Sequence, residues 1–179
     1  MSKKPGVSLK EYISRKRISK RIKKLAKEIS RDYKGKNPIF IGILNGSFIF
    51  LADLIREIKI DCEIDFLKLS SYGDEKISSG NVTMLKELNC EIANRDIIIV
   101  EDIVDSGLSA NFIKAIIEEN KPASLRFVSL LFKKNTSNLN FKIDYIGFKI
   151  KNKFVVGYGL DFAQKYRNLK AIYVLHSKN

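Results

Sequence analysis

Tryptophan is absent from this 179-residue chain, histidine occurs once and cysteine twice. The one histidine, His176 near the C-terminus, is too isolated for a His-based triad or a multi-histidine metal site. Cys62 and Cys90 show no close pairing pattern, which argues against a disulfide framework or a zinc site and for a reducing, cytoplasmic setting. No run of about 18 apolar residues occurs, so no transmembrane helix is expected. The N-terminus is basic but lacks the apolar core and small-residue cleavage site of a signal peptide. A G-x-x-x-x-G-K-[ST] phosphate loop is also missing.

What is present fits a globular chain. Apolar residues make up 45% and charged residues 30%, an ordinary balance with enough chain to bury a core. With no repeat, linker or second core visible, residues 1–179 are expected to form one domain. The net charge of +13 is the anomaly, and residues 1–36 hold fourteen Lys/Arg against Glu11, Glu28 and Asp32. Such a stripe reads either as a nucleic-acid footprint or as one solvated helix face. No aromatic side chains alternate with the basic ones to form a stacking platform.

Periodicity gives the elements. Ile18, Ile22, Leu25, Ala26 and Ile29 recur at helical spacing, predicting a helix over residues 15–33 capped by Ser14. A strand at 38–44, a helix at 48–58 and a strand at 63–69 follow. Residues 70–80 are polar, with two glycines and no periodicity, and read as a lid or binding loop or as an exposed β-arm. Strands are expected at 82–87, 96–100, 124–132, 144–148, 155–158 and 171–175, with a helix at 111–120. The alternation predicts right-handed β-α-β units and a mainly parallel sheet.

The most informative stretch runs from Ile97 to Ser109. A continuous aliphatic run, expected for a strand buried on both faces, ends in Glu101, Asp102 and Asp105. The small-residue turn Ser106-Gly107 then opens a helix. Free backbone N–H groups and the helix dipole make such a junction an anion site. Carboxylates beside it suit a substrate carrying both phosphate and hydroxyl or metal-linked groups. Read from the pattern alone, Asp105 is a candidate N-cap of the helix, which does not exclude a second role for its side chain.

This arrangement resembles the phosphoribosyl-diphosphate signature of the type I phosphoribosyltransferases. Four further segments resemble the hypoxanthine-guanine branch of that family: Gly42 to Phe48, Ser70 to Gly73, Asp144 to Phe148, and Phe154 to Asp161 followed by Tyr166 to Leu169. The resemblance implies an α/β fold with a mainly parallel central sheet flanked by helices, a small hood and a flexible lid. It implies purine salvage: transfer of a phosphoribosyl group to hypoxanthine or guanine, with Mg²⁺, by a homodimer or homotetramer.

The site residues follow from the same resemblance. Glu101, Asp102, Asp105, Ser106, Gly107, Leu108 and Ser109 would bind ribose and phosphate, with Asp105 taking the purine proton. Lys133, Phe148, Lys149 and Asp161 would bind the purine, and Asn45, Gly46, Ser71, Tyr72 and Arg167 the pyrophosphate. Glu101, Asp102 and Asp161 would face the metal. Taken singly, several have plainer readings: Asn45-Gly46 as a turn, Phe148 as core, Lys133 as a solvated lysine, Asp161 and Arg167 as a surface ion pair.

Overall fold

The computed structural model describes residues 7–71, 82–86, 88–133 and 138–177. Tyr72 and most of the predicted 70–80 loop lie outside them. In chain order the elements are β1 (Val7–Ile13), α1 (Arg15–Asp32), β2 (Ile39–Leu44), α2 (Phe48–Glu57), β3 (Glu63–Ser71) and β4 (Val82–Lys86). They continue with β5 (Asp96–Val104), α3 (Leu108–Glu119), β6 (Ser124–Lys133), β7 (Tyr145–Ile150), β8 (Val155–Val156) and β9 (Ile172–Ser177).

Six strands form one sheet in the order β4-β3-β2-β5-β6-β7. All neighbours pair in parallel except β3 with β4. The aliphatic runs are continuous because both faces are covered. Phe40, Ile98 and Val100 pack with Ile18, Ile22, Leu25 and Ile29 of α1 and Phe50, Leu51 and Leu54 of α2. Ile39, Ile41, Ile97 and Ile99 face the other way, onto Ala110, Ile113 and Ile117 of α3. The chain leaves β2 through α2 toward β3, and leaves β5 through α3 toward β6. Crossovers that run in opposite directions on opposite faces make the β2/β5 junction a topological switch point, the crevice where open α/β sheets bind ligands.

Helix α1 begins where expected. The Ser14 hydroxyl accepts the Arg17 N–H at 3.4 Å, offsetting a first turn that carries cations against the helix dipole. Strand β5 is longer than the aliphatic run suggests. Glu101, Ile103 and Val104 stay in register with Ser129, Leu131 and Phe132 of β6, so Glu101 and Asp102 lie inside the strand rather than beyond it, and Asp105 directly follows its end. Helix α3 starts three residues earlier than its apolar spacing indicates, because the turn at Gly107 enters it directly.

The expectation for 155–158 shortens to two residues, since Gly157 and Tyr158 adopt positive φ and leave the extended path. Strand β1 was not anticipated. It pairs antiparallel with β9, which also pairs with β8, to form a separate three-stranded sheet. No described helix is long and apolar enough to cross a membrane. Cys62 and Cys90 are both free, and burial pushes the Cys90 thiol up to about 11.

Candidate active site

A cleft of about 660 Å³ opens at the carboxyl ends of β2 and β5. Its wall runs from Glu101 to Ala110, and Ile43, Leu44 and Leu69 also line it. All seven residues assigned from sequence to ribose and phosphate lie on this wall.

The turn from β5 into α3 has one solution. Gly107 sits at φ +89°, and a Cβ there would approach the backbone N and Cβ of Leu139 to 2.8 Å. Both the left-handed backbone and the lack of space demand glycine. No side chain of the N-cap residue satisfies the first turn of α3, and no acidic residue lies in that turn. The Ser106 hydroxyl accepts the Leu108 N–H only at 3.4 Å. The remaining N–H groups of that turn therefore face the cleft as an anion cradle. Asn111 fixes the neighbouring loop: its side chain donates to the Asn138 carbonyl at 2.5 Å and accepts the Asn140 N–H at 3.2 Å.

Across the cleft, the Leu44–Asn45 peptide is cis and Asn45 is exposed. Gly46 is packed without room for a side chain. A Cβ on it would fall 1.7 Å from Asp102 Oδ2, and a Cβ on Gly159 would fall 2.1 Å from the Gly46 carbonyl oxygen. Three chain segments thus meet on Gly46: its own loop, the end of β5, and the Gly157–Asp161 turn. Arg167 joins them. Its guanidinium lies 2.8 Å from Asp161 Oδ1 and donates to the Gly159 carbonyl at 2.8 Å and to Gln164 Oε1 at 3.1 Å.

The carboxylates are tuned by this packing. Glu101 is buried, and desolvation, with Asp102 beside it, pushes its pKa well above the ordinary value. Burial likewise raises Asp102 to about 6, opposed by the Ile103 N–H it accepts and by the Arg167 charge, and reinforced by Asp161. Among the described residues no three His, Cys, Asp or Glu side chains form a self-contained metal cluster. Glu101, Asp102 and Asp161 therefore do not make a closed cage. All three offer hard oxygen donors, and Mg²⁺ is commonly held by one or two carboxylates with waters and substrate phosphates completing the shell. The residues fit such an ion.

Asp105 lines the cleft wall, and Lys133 Nζ lies 2.6 Å from its Oδ2. The lysine, last residue of β6, is buried, whereas the aspartate side chain is 60% exposed. Phe148 and Lys149 are on β7 opposite Leu131 and Phe132, next to Lys133 in the sheet. Phe148 is half-buried and Lys149 exposed. Ser71 ends β3.

The structure brings the predicted residues together in two groups, Asp105 with Lys133 and Gly46 with Asp102, Asp161 and Arg167. Sequence reasoning did not anticipate Leu139 and Asn111 as supports of the Gly107 turn. It also missed Arg17 and Arg21 of α1, which reach β7: Arg17 lies over the Phe148 ring, 5.7 Å from its centroid, and Arg21 bonds the carbonyls of Ile146 and Gly147. In the sequence these two arginines look like any other cations of the basic stripe.

Comparison with known proteins gives a consistent picture. Residues 8–163 match the model of the phosphoribosyl transferase domain. The chain is 42% identical to the hypoxanthine-guanine phosphoribosyltransferase of Bacillus subtilis, over 93% of this chain and 92% of that protein. A crystal structure of a hypoxanthine-guanine phosphoribosyltransferase from Bacillus anthracis superposes with a TM-score of 0.89 at 42% identity, covering 93% of this chain and 99% of the other. The chain is also 40% identical to the bifunctional protein TilS/HprT of Listeria monocytogenes, of whose length it spans 26%.

Proposed function

The chain belongs to the phosphoribosyl transferase family, and on that footing we propose that it joins hypoxanthine or guanine to 5-phosphoribosyl 1-diphosphate, releasing the nucleoside monophosphate and pyrophosphate. The observation that carries this reading is the contact of Asp105 with Lys133 at the cleft. A 6-oxopurine presents its 6-oxygen and N7 side by side on one edge. A carboxylate and an ammonium 2.6 Å apart complement that edge when N7 carries a proton: the lysine donates to the oxygen and the aspartate accepts from N7. An ammonium has three donors, so Lys133 can hold Asp105 and the purine oxygen together. Adenine would set an amino group against the lysine, donor facing donor, and is rejected.

The reaction then needs little covalent help from the protein. The N9 lone pair bonds to C1′ as the C1′–O bond to pyrophosphate breaks, and the N7 proton passes to Asp105. A free Asp is a weak base at neutral pH, so positioning supplies most of the gain. The amides from Ser106 to Ser109 take the 5′-phosphate, and Phe148 stacks on the purine with Lys149 at its edge. Asn45 and Gly46, with Arg167 nearby, receive the pyrophosphate. Ser71 and Tyr72 share that role by their place in the sequence motif. Phosphoribosyltransferases use a metal ion; Glu101, Asp102 and Asp161 would hold Mg²⁺ here, which when bound supplies charge neutralisation of the departing diphosphate.

The test is nucleotide formation from phosphoribosyl diphosphate and Mg²⁺ with hypoxanthine, guanine, xanthine and adenine in parallel. Product from hypoxanthine or guanine and none from adenine is expected. Folded protein that makes no nucleotide from any of them would overturn the reading.

A further inference from the structure

Helix α1 does more than cover the sheet. Among the described residues strand β7 is the outermost strand on its side, paired only with β6, so one edge of its backbone has no strand partner among them. Arg21 of α1 reaches the backbone of this strand. Its Nε donates to the Gly147 carbonyl at 3.0 Å and its Nη2 to the Ile146 carbonyl at 2.5 Å. Glu28 lies 3.5 Å from the third nitrogen, and the arginine side chain is only 23% exposed. Gly147 is also confined by the neighbouring strand, since a Cβ on it would fall 2.4 Å from the Leu130 carbonyl oxygen. One residue further along is Phe148. Arg17, one helical turn before Arg21, lies over the Phe148 ring at 5.7 Å from its centroid.

We infer that Arg21 and Arg17 are positioning residues for purine binding, fixing the backbone and the ring plane of Phe148 against α1. The inference rests on the reading of Phe148 as the purine-stacking ring. Because Ile18, Ile22, Leu25 and Ile29 lock α1 onto the sheet, the arginines tie Phe148 to a rigid element. A guanidinium suits this task because its planar fork serves two carbonyls at once, which an ammonium does not do in fixed geometry. Part of the basic character of α1 thereby acquires a specific use. Lys24, exposed on the same helix, makes no ion pair among the described residues and serves as a control.

Initial-rate kinetics on the full chain test this, with Michaelis constants measured separately for hypoxanthine and for phosphoribosyl diphosphate. Loss of two hydrogen bonds made by a charged group in Arg21→Met is expected to raise the hypoxanthine KM about tenfold. Arg17→Met, losing one exposed cation–π contact, is expected to raise it about threefold. In both, kcat and the phosphoribosyl diphosphate KM stay near wild type. Arg21→Lys keeps the charge without the fork and recovers only part of the loss, while Lys24→Met changes nothing. A hypoxanthine KM unmoved in Arg21→Met, or both Michaelis constants rising together, would overturn the inference. If Arg21→Met does not fold, Arg17→Met decides alone, and an unmoved hypoxanthine KM there has the same meaning. Phe148→Ala run alongside separates the two levels. An unchanged hypoxanthine KM in it refutes the stacking role itself. A raised one, with both arginine variants unchanged, refutes only the positioning role.

Discussion

The Lys133 ammonium contacts the Asp105 carboxylate at 2.6 Å, joining the last residue of β6 to the first residue beyond β5. The pair is asymmetric, because the lysine is buried and the aspartate largely exposed. Its two members therefore differ in what their removal does. Lys133→Met takes away the donor proposed for the purine 6-oxygen. A hydrogen bond from a charged group is worth about 1.5–3 kcal/mol, so kcat/KM for hypoxanthine should fall about 10- to 100-fold. Affinity for phosphoribosyl diphosphate should hold. Equal losses for the two substrates in steady-state kinetics would argue against the assignment.

Gly107→Ala tests the turn into α3. The substitution forces a side chain into a left-handed backbone and against Leu139, at a cost of about 1–3 kcal/mol for the strain alone. Urea denaturation should show a loss of that order, and the phosphate cradle should weaken with it. A variant as stable as wild type would mean the turn relaxes easily and is not the rigid anion site described.

Gly46→Ala acts elsewhere. Its methyl would land on the Asp102 carboxylate, displacing it or pushing the Gly157–Asp161 turn away. The expected result is a raised KM for phosphoribosyl diphosphate, on the order of tenfold if about one charge-assisted hydrogen bond's worth of geometry is lost. The hypoxanthine KM, proposed to depend on Asp105 and Lys133, should change less. The reverse pattern would misplace the pyrophosphate end.

Much of this was legible in the sequence, for identifiable reasons. Continuous aliphatics such as Ile97 to Val100 signal a strand buried on both faces, and alternation with amphipathic segments gives the parallel sheet. The acidic strand end and the Ser106-Gly107 turn point to a candidate site because few structural needs put those residue types together. Strand β1 escaped detection because its partner β9 lies at the far end of the chain, with Val7 opposite Ser177, and a register shift between Glu11 and Ile13 breaks the alternation. The contact of Lys133 with Asp105 is a product of strand order, which local pattern does not encode. Arg17 and Arg21 were hidden in a run of cations whose helical positions alone do not say which reach a neighbouring strand.

The pH dependence of stability reports the buried carboxylates. Burial holds Asp102 at about 6 against an ordinary value of 3.8, so the folded state binds this proton more tightly than the unfolded state does. Its contribution is complete below about pH 4 and is lost as pH rises through about 6. In metal-free buffer, the Tm of the wild type minus that of Asp102→Asn should therefore decrease from about pH 4 to about pH 7. A difference that is flat or grows over that window would contradict the burial described for this carboxyl.

The most direct measurement is the rate of nucleotide formation from hypoxanthine by Asp105→Asn beside wild type, at saturating phosphoribosyl diphosphate and Mg²⁺. The variant keeps the shape of the side chain and removes its capacity to take the N7 proton. General-base loss should lower kcat/KM for hypoxanthine by about 10²- to 10⁴-fold, with the KM for phosphoribosyl diphosphate little changed. A variant within a few-fold of wild type would show that Asp105 does not accept the proton, and would contradict the account.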